Sequence, residues 1–431
     1  MAAIYFALAL VPISAAAGAA IDLSRALAVQ QRLGAAIDAA GLAVGATHGS
    51  SEQRLQGVLN SYFDANYPAE ELGVPARPVM TIDGNLIRIS ASADVDTTLM
   101  RVVQIDTITV EASTEIIRET KGLDVVLVLD NTGSMNGSRL RSLKSASRNF
   151  VEILFGDESE PEELLIGIVP FASAVNVGTA ALFSNAFTTG LPADAEYEPD
   201  EWAGCLEARN APHDQRDTDI NDGGRWTRFL WPHNSGSNNW NRIRVNDDVG
   251  SNYGPNKHCP AEILPLTNVK RDLLDKIDEM EAAGITHINV GAIWGLRVIS
   301  PTPPYTNGHA YDDEEYNKAV VIMTDGQNTI NAGCGNYSAY GTLCDERLGF
   351  RNASAARGEL DRRLLEVCGN IKVTGTLVYT ITFQVGSVRV RELMRDCATD
   401  ESRYFNSPTN SELEKTFQAI GAELSSLRIG K

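Results

Sequence analysis

Hydrophobic and polar positions fall into three regimes along the chain. Residues 2–21, AAIYFALALVPISAAAGAAI, carry no charged side chain. An apolar periodicity at Leu23, Leu27, Leu33, Ile37 and Leu42 then continues to about Gly45. Twenty helical residues reach about 30 Å, the thickness of a hydrocarbon core. The pattern predicts one long helix over 1–45, with a transmembrane segment at 2–21 and a stalk beyond it. Pro12 lies within the run, where a lipid-embedded helix tolerates a kink. Two readings compete: a cleaved signal peptide, with small residues around Ala15–Ala17 as the cleavage site, and a buried core helix, which the position at the very terminus disfavours. The run is long for such a signal and no positive stretch precedes it, so the uncleaved anchor is preferred.

Residues 79–118 alternate as strands do, in VMTIDG, NLIRISASADV and VVQIDTITVEAST. The Asp83-Gly84 pair between two such runs signals a hairpin. Residues 46–120 are therefore read as a small β-rich domain. From Lys121 the period changes. Continuous apolar runs in KGLDVVLVLD, LLIGIVPFA (164–172), KAVVIMTDG (318–326) and TGTLVYTITFQV (374–385) read as strands buried on both faces. Between and after them LRSLKSASRNFVEILFG, NVKRDLLDKIDEM (268–280) and SELEKTFQAIGAELSSLRI show helical spacing. This alternation predicts an α/β domain over 121–431, doubly wound around a mostly parallel sheet, with ligands at the carboxyl ends of the strands. The rhythm breaks at about 176–266 and again at 331–356, which are read as irregular insertions.

Composition narrows the picture. The chain is 43% hydrophobic and 22% charged, as globular proteins are. Lys and Arg number 37 against 56 Asp and Glu, for a net charge of -19. So acidic a chain excludes a general nucleic-acid binder and a polybasic membrane-surface protein. Six cysteines stand at 205, 259, 334, 344, 368 and 397, none in a C-x-x-C pair. Everything beyond the anchor is expected outside the membrane, where disulfides form. Local order suggests Cys205–Cys259, Cys334–Cys344 and Cys368–Cys397.

The candidate chemistry sits at three strand ends. Asp130, Thr132 and Ser134 alternate as D-x-T-x-S just before a helix. Thr286 precedes the helical segment in GITHINVGAIWGL, and Asp325 ends the strand VVIMTDG. All are oxygen donors, the ligands that hard cations such as Mg²⁺ want. These five residues resemble the metal-ion-dependent adhesion site (MIDAS) of von Willebrand factor A domains, with Thr132 for the commoner Ser. The resemblance covers about 121–430. It implies Mg²⁺, with Mn²⁺ or Ca²⁺ as substitutes, bound by the hydroxyls directly and by the aspartates partly through water. It also implies a protein partner that offers an acidic side chain to the metal. Asn131, Gly133, Met135, His287 and Gly326, around the metal, are then the candidate partner contacts.

The whole chain resembles the membrane-anchored TadG-like proteins of bacterial tight-adherence (Flp) pilus systems. The resemblance is carried by IYFALALVPISAAAGAAIDLSRA, the site segments, THINVGAIWGLRVISP and the ending CGNIKVTGTLVYTITF. It implies a role in pilus assembly or surface adhesion, at the inner membrane with the bulk of the chain extracytoplasmic, in the periplasm or on the cell surface. An enzyme is not expected, because no D-x-D-x-T, G-x-S-x-G or Walker motif accompanies the site. Two alternatives remain: a structural pilus subunit with a vestigial site, or a metal-dependent hydrolase. Asp217-x-Asp219-x-Asn221 begins like a calcium loop but lacks its Gly and Glu, so a polar loop is preferred. The four tryptophans of the insertion are read as a small satellite core in preference to a binding surface.

Overall fold

The computed structural model describes residues 2–47, 52–68, 73–83, 86–117, 121–179, 187–189, 202–232, 234–235, 238–240 and 253–427. In the first helix, side chains are described at 13 and from 16 onward. The chain divides into two compact units, residues 1–120 and residues 121–428.

The first unit opens with helices α1 (Ala2–Gly45) and α2 (Glu52–Asn66). Strands β1 (Val74–Pro75), β2 (Val79–Asp83), β3 (Leu86–Asp96) and β4 (Thr107–Ile117) follow as an antiparallel sheet. β2 and β3 form a hairpin closing at Asp83 and Leu86, whose turn residues 84 and 85 lie outside the described residues. Along β3, Ile87, Ile89, Ala91, Ala93 and Val95 are buried, the two-residue period of a sheet covered on one face.

The cover comes from α1 and α2. Ala26, Val29, Leu33, Ala36, Ile37, Ala40 and Val44 of α1 form one core with Leu55, Leu59 and Phe63 of α2 and the strand residues. Of the stripe expected from sequence, Leu33 and Ile37 are buried, whereas Leu23, Leu27 and Leu42 are exposed. The buried face is set by small side chains that let the helix approach the sheet. A Cβ added at Gly41 would lie 2.8 Å from Ile116 Cδ1. Asp22 is buried too, accepting the amide protons of Thr98 at 3.0 Å and of Leu99 and Met100 at 2.8 Å.

Among the described residues no helix is long and apolar enough to cross a membrane. The transmembrane segment expected at 2–21 thus finds no support in the structure. Most of it falls on positions whose side chains lie outside the described residues.

The second unit begins with β5 (Gly122–Asp130), α3 (Ser138–Phe155) and β6 (Leu164–Phe171). In the first insertion the described residues form β7 (Val175–Asn176), β8 (Cys205–Leu206), the one-turn α4 (Ile220–Gly223), β9 (Asn234–Ser235) and β10 (Asn238–Asn239). Then come β11 (Leu264–Thr267), α5 (Lys270–Glu279), α6 (Ile288–Ile299) and β12 (Tyr316–Thr324). The chain closes with α7 (Ala353–Val373), β13 (Leu377–Phe383), α8 (Val388–Cys397), β14 (Tyr404–Ser407) and α9 (Asn410–Leu427).

The main sheet runs β14-β13-β12-β5-β6-β7-β8, with β11 also on β6. β14 through β6 are parallel, and β7, β8 and β11 add antiparallel edges. Every residue of β5 is buried. Leu123, Val125, Leu127 and Leu129 enter one core with residues of α3, α5 and α9. Val126 and Val128 enter the other with residues of α6, α7 and the insertion. Helices on both faces give the doubly wound α/β architecture expected from the alternating pattern. Each buried Val, Leu or Ile contributes about 1.5–3 kcal/mol, so the central strands dominate the stability of this unit.

The three disulfides pair as local order suggested. Cys205–Cys259 and Cys334–Cys344 close the insertions, and Cys368–Cys397 ties α7 to α8. Two expectations are corrected. Trp202, Trp226, Trp231 and Trp240 are no satellite cluster; they lie in the main core, where the Trp226 ring packs tilted at 41° against Trp294 of α6, centroids 5.5 Å apart. The second insertion also ends earlier than predicted, because α7 already begins at Ala353. Asp219 of the calcium-like loop is a helix cap, accepting the amide protons of Asn221 and Asp222.

Candidate metal centre

β5 and β12 are neighbours in register, with Leu129 opposite Met323. Asp130, the last residue of β5, and Asp325, just past β12, therefore emerge side by side at the carboxyl edge. The loop after β5 is pinned by the Gly133 amide, which donates to Gly284 O at 3.0 Å. A Cβ at Gly133 would lie 3.3 Å from that same oxygen, so the close approach favours glycine. Gly284 has φ +80 and opens the turn that carries Thr286 to the site. Thr286 is held in turn by the Thr329 amide, which donates to its carbonyl at 2.8 Å.

All five predicted residues meet. Thr132 donates both its amide and its hydroxyl to Asp130 Oδ1, at 2.8 and 2.6 Å. Ser134 Oγ donates to Asp325 Oδ1 at 2.6 Å, and Thr286 Oγ1 donates to Thr132 Oγ1 at 3.2 Å. Thr132 Oγ1 and Ser134 Oγ lie 3.0 Å apart. Each hydroxyl has one proton. With both aspartates ionised those protons go to the carboxylates, and the Thr132–Ser134 contact leaves lone pairs facing lone pairs. A cation is the group that such converging oxygens fit.

The donor set is wholly oxygen, two carboxylates and three hydroxyls, which suits Mg²⁺ and its hard relatives and does not suit soft metals. Among the described residues no three His, Cys, Asp or Glu side chains are grouped to hold a metal. The cluster here contains only two such residues and owes its other oxygens to hydroxyls.

Burial, followed by the nearby negative charge of Asp325, raises the Asp130 carboxyl to about 7, against hydrogen bonds from Thr132 and Thr324. Among basic side chains of the described residues, only Arg139 contacts the ligand set. Its Nη1 lies 2.8 Å from Asp325 Oδ2.

Of the candidate partner contacts, Asn131, Met135 and His287 are buried, while Gly133 is exposed and Gly326 half-buried. Burial pushes His287 down to about 4, so it is neutral, and its Nε2 lies 3.1 Å from Thr329 O. Three neighbours were missed from sequence. Thr324 Oγ1 donates to Asp130 Oδ2 at 2.7 Å, and Arg139 pairs with Asp325. Gln384 accepts from Arg139 Nε at 2.9 Å. Thr324 directly precedes Asp325 and Arg139 lies in the first turn of α3, so proximity could have flagged both. Nothing local marks Gln384.

The start of α6, beside Thr286, is braced from the insertions. Asn289 Nδ2 donates to Tyr340 OH at 2.7 Å, and Tyr340 OH donates to the buried Asp214 at 2.8 Å. Arg363 of α7 donates to the same Asp214 oxygen at 2.6 Å. Burial and the Asp214 charge push the Tyr340 hydroxyl up, so it stays a donor.

No family model matches the sequence, and no curated protein matches it. Solved structures are similar at low levels. The von Willebrand factor domain of the type V pili tip protein Mfa5 from Porphyromonas gingivalis is 12% identical, with a TM-score of 0.40 over 72% of this chain and 97% of that one. The pilus adhesin SpaC from Lactobacillus rhamnosus GG is 10% identical, with a TM-score of 0.39 over 81% of this chain and 34% of that one. Proximal thread matrix protein 1 from the mussel byssus, with a zinc-occupied MIDAS motif, is 13% identical, with a TM-score of 0.35 over 72% of this chain and 47% of that one. The chain thus spans about a third of the adhesin and about half of the matrix protein. Likenesses this low decide neither fold nor function.

Proposed function

We propose that this chain is an extracytoplasmic binding protein whose site holds a divalent cation, Mg²⁺ or in its place Mn²⁺ or Ca²⁺. Asp130, Thr132, Ser134, Thr286 and Asp325 would hold it. The cation would supply a Lewis-acidic point of attachment for an acidic side chain of a protein partner. One observation carries this reading: five oxygen-bearing side chains, from the carboxyl ends of β5 and β12 and from the loop between α5 and α6, converge through hydrogen bonds of 2.6–3.2 Å.

Binding is preferred over catalysis. Among the described residues no His or Lys side chain is hydrogen-bonded to Thr132, Ser134 or Thr286, and the carboxylates that accept from Thr132 and Ser134 are the two that this reading assigns to the cation. The biological setting, pilus assembly or surface adhesion in a bacterial envelope, follows from the resemblance to TadG-like proteins. Attachment to the inner membrane rests only on the uncharged sequence of residues 2–21. The second reading, a structural pilus subunit with a vestigial site, draws on the Arg139–Asp325 pair, which neutralises one carboxylate without a metal.

Thermal unfolding of the full, oxidised chain separates the two. A cation at a hundred times its dissociation constant stabilises the folded state by about 2.7 kcal/mol. Mg²⁺ should therefore raise the midpoint of the wild type and leave Ser134→Ala unmoved. Equal midpoints with Mg²⁺ and with EDTA in the wild type would favour the vestigial site.

A further inference from the structure

Arg139 is held more firmly than a surface arginine needs to be. Its Nη1 donates to Asp325 Oδ2 at 2.8 Å and to Ser134 O at 3.3 Å. Its Nε donates to Gln384 Oε1 at 2.9 Å. Gln384 is itself fixed: its Nε2 donates to Asn410 Oδ1 at 2.9 Å and its amide to Ser407 O at 2.9 Å. Its φ of 54 is a left-handed conformation that costs a non-glycine residue energy and tends to mark functional sites. Among the described residues Nη2 has no hydrogen-bond partner, and the side chain is 33% exposed.

Charge counting gives this placement a purpose. The two aspartates cancel a divalent cation, and Arg139 then leaves one positive charge over. We propose that Arg139 is the second recognition element of the site, a guanidinium whose free Nη2 hydrogen-bonds the carboxylate that the partner brings. This rests on the cation-binding reading above and adds to it the residue that makes the loaded site select an anion. Arginine suits the task because its planar fork can hold Asp325 on one nitrogen and a second carboxylate on the other. The same positive charge opposes the cation, so Arg139 should weaken metal affinity while strengthening carboxylate affinity.

Those opposite signs make the test. Mn²⁺ is titrated into the full, oxidised wild type and R139Q by calorimetry. Acetate, with chloride as control at equal ionic strength, is then titrated into each Mn²⁺-loaded protein and read by water-proton relaxation. A hydrogen bond to a charged group corresponds to about a tenfold change or more. R139Q should bind Mn²⁺ about tenfold more tightly and acetate about tenfold more weakly, with R139K between it and the wild type. Acetate binding alike in wild type and R139Q overturns the proposal and spares the cation reading. Weaker binding of both ligands in R139Q overturns it as well, since a merely structural role predicts that. Absence of Mn²⁺ binding to the wild type overturns the cation reading and the proposal with it. Should R139Q fail to fold, Q384A keeps the charge and frees the guanidinium. It should then weaken acetate binding with little change in Mn²⁺ affinity, and unchanged acetate binding overturns the proposal.

Discussion

Replacing Asp130 by asparagine should stabilise the metal-free protein while abolishing metal binding. The carboxyl is fully buried, and burial, followed by the charge of Asp325, raises it from 3.8 to about 7. The folded state therefore holds this proton more tightly than the unfolded chain does. Stability from this group is fully present below about 3.8 and is lost as pH rises to about 7. Above that window the buried charge costs about 4 kcal/mol, because each pH unit separating the folded and unfolded values is worth ~1.4 kcal/mol.

Asparagine recovers only part of this. Its oxygen can still accept from the Thr132 amide and hydroxyl. Its amide would face Thr324, whose hydroxyl could then turn its proton to Gly326 O, 3.2 Å away, and accept. Allowing for imperfect geometry, the expected gain is about 1–3 kcal/mol at pH 8 in EDTA, shrinking towards pH 5. Urea unfolding followed by tryptophan fluorescence is the assay, since all 5 tryptophans lie in the second unit. An Asp130→Asn variant less stable than the wild type at pH 8 in EDTA would refute the electrostatic account of the site.

Two other predictions concern the scaffold. Asp124, buried on β5, accepts from Lys318 Nζ at 2.6 Å and from the His309 amide at 2.9 Å. Asp124→Ala strands a buried ammonium and should cost about 3–5 kcal/mol in the same urea assay, with a loss under ~1 kcal/mol counting against a paired role. The double variant Cys368→Ser, Cys397→Ser opens a link spanning 29 residues and should cost about 3 kcal/mol. Mass spectrometry of the unreduced wild type should find that pair joined.

Much of the second unit was legible because its strands are buried on both faces. Val125–Leu129 could be read as a strand without knowing its neighbours. The five candidate site residues were legible because each carries an oxygen donor and four of them stand at or just beyond the end of an apolar strand, whereas Thr286, expected at a strand end too, lies in the loop between α5 and α6. What escaped was set by tertiary context. α7 has polar and apolar residues distributed weakly around its axis, and the strong apolar signals lie in the strands on either side. Leu23 and Leu27 looked like core residues, yet the packing face of α1 runs through Ala26, Val29, Leu33, Ala36, Ile37, Ala40 and Val44, and the pattern underweights its small alanines. Arg139 and Gln384 lie 245 positions apart, and only the fold brings them together.

The central claim is that the carboxyl ends of β5 and β12, with the loop between α5 and α6, assemble a divalent-cation site. Calorimetric titration of Mg²⁺ and Mn²⁺ into the full, oxidised chain, beside Asp130→Ala checked for native tryptophan fluorescence, tests it most directly. The account predicts one binding event per chain in the wild type and none in the folded variant. No heat in the wild type, or equal binding by the variant, would contradict it.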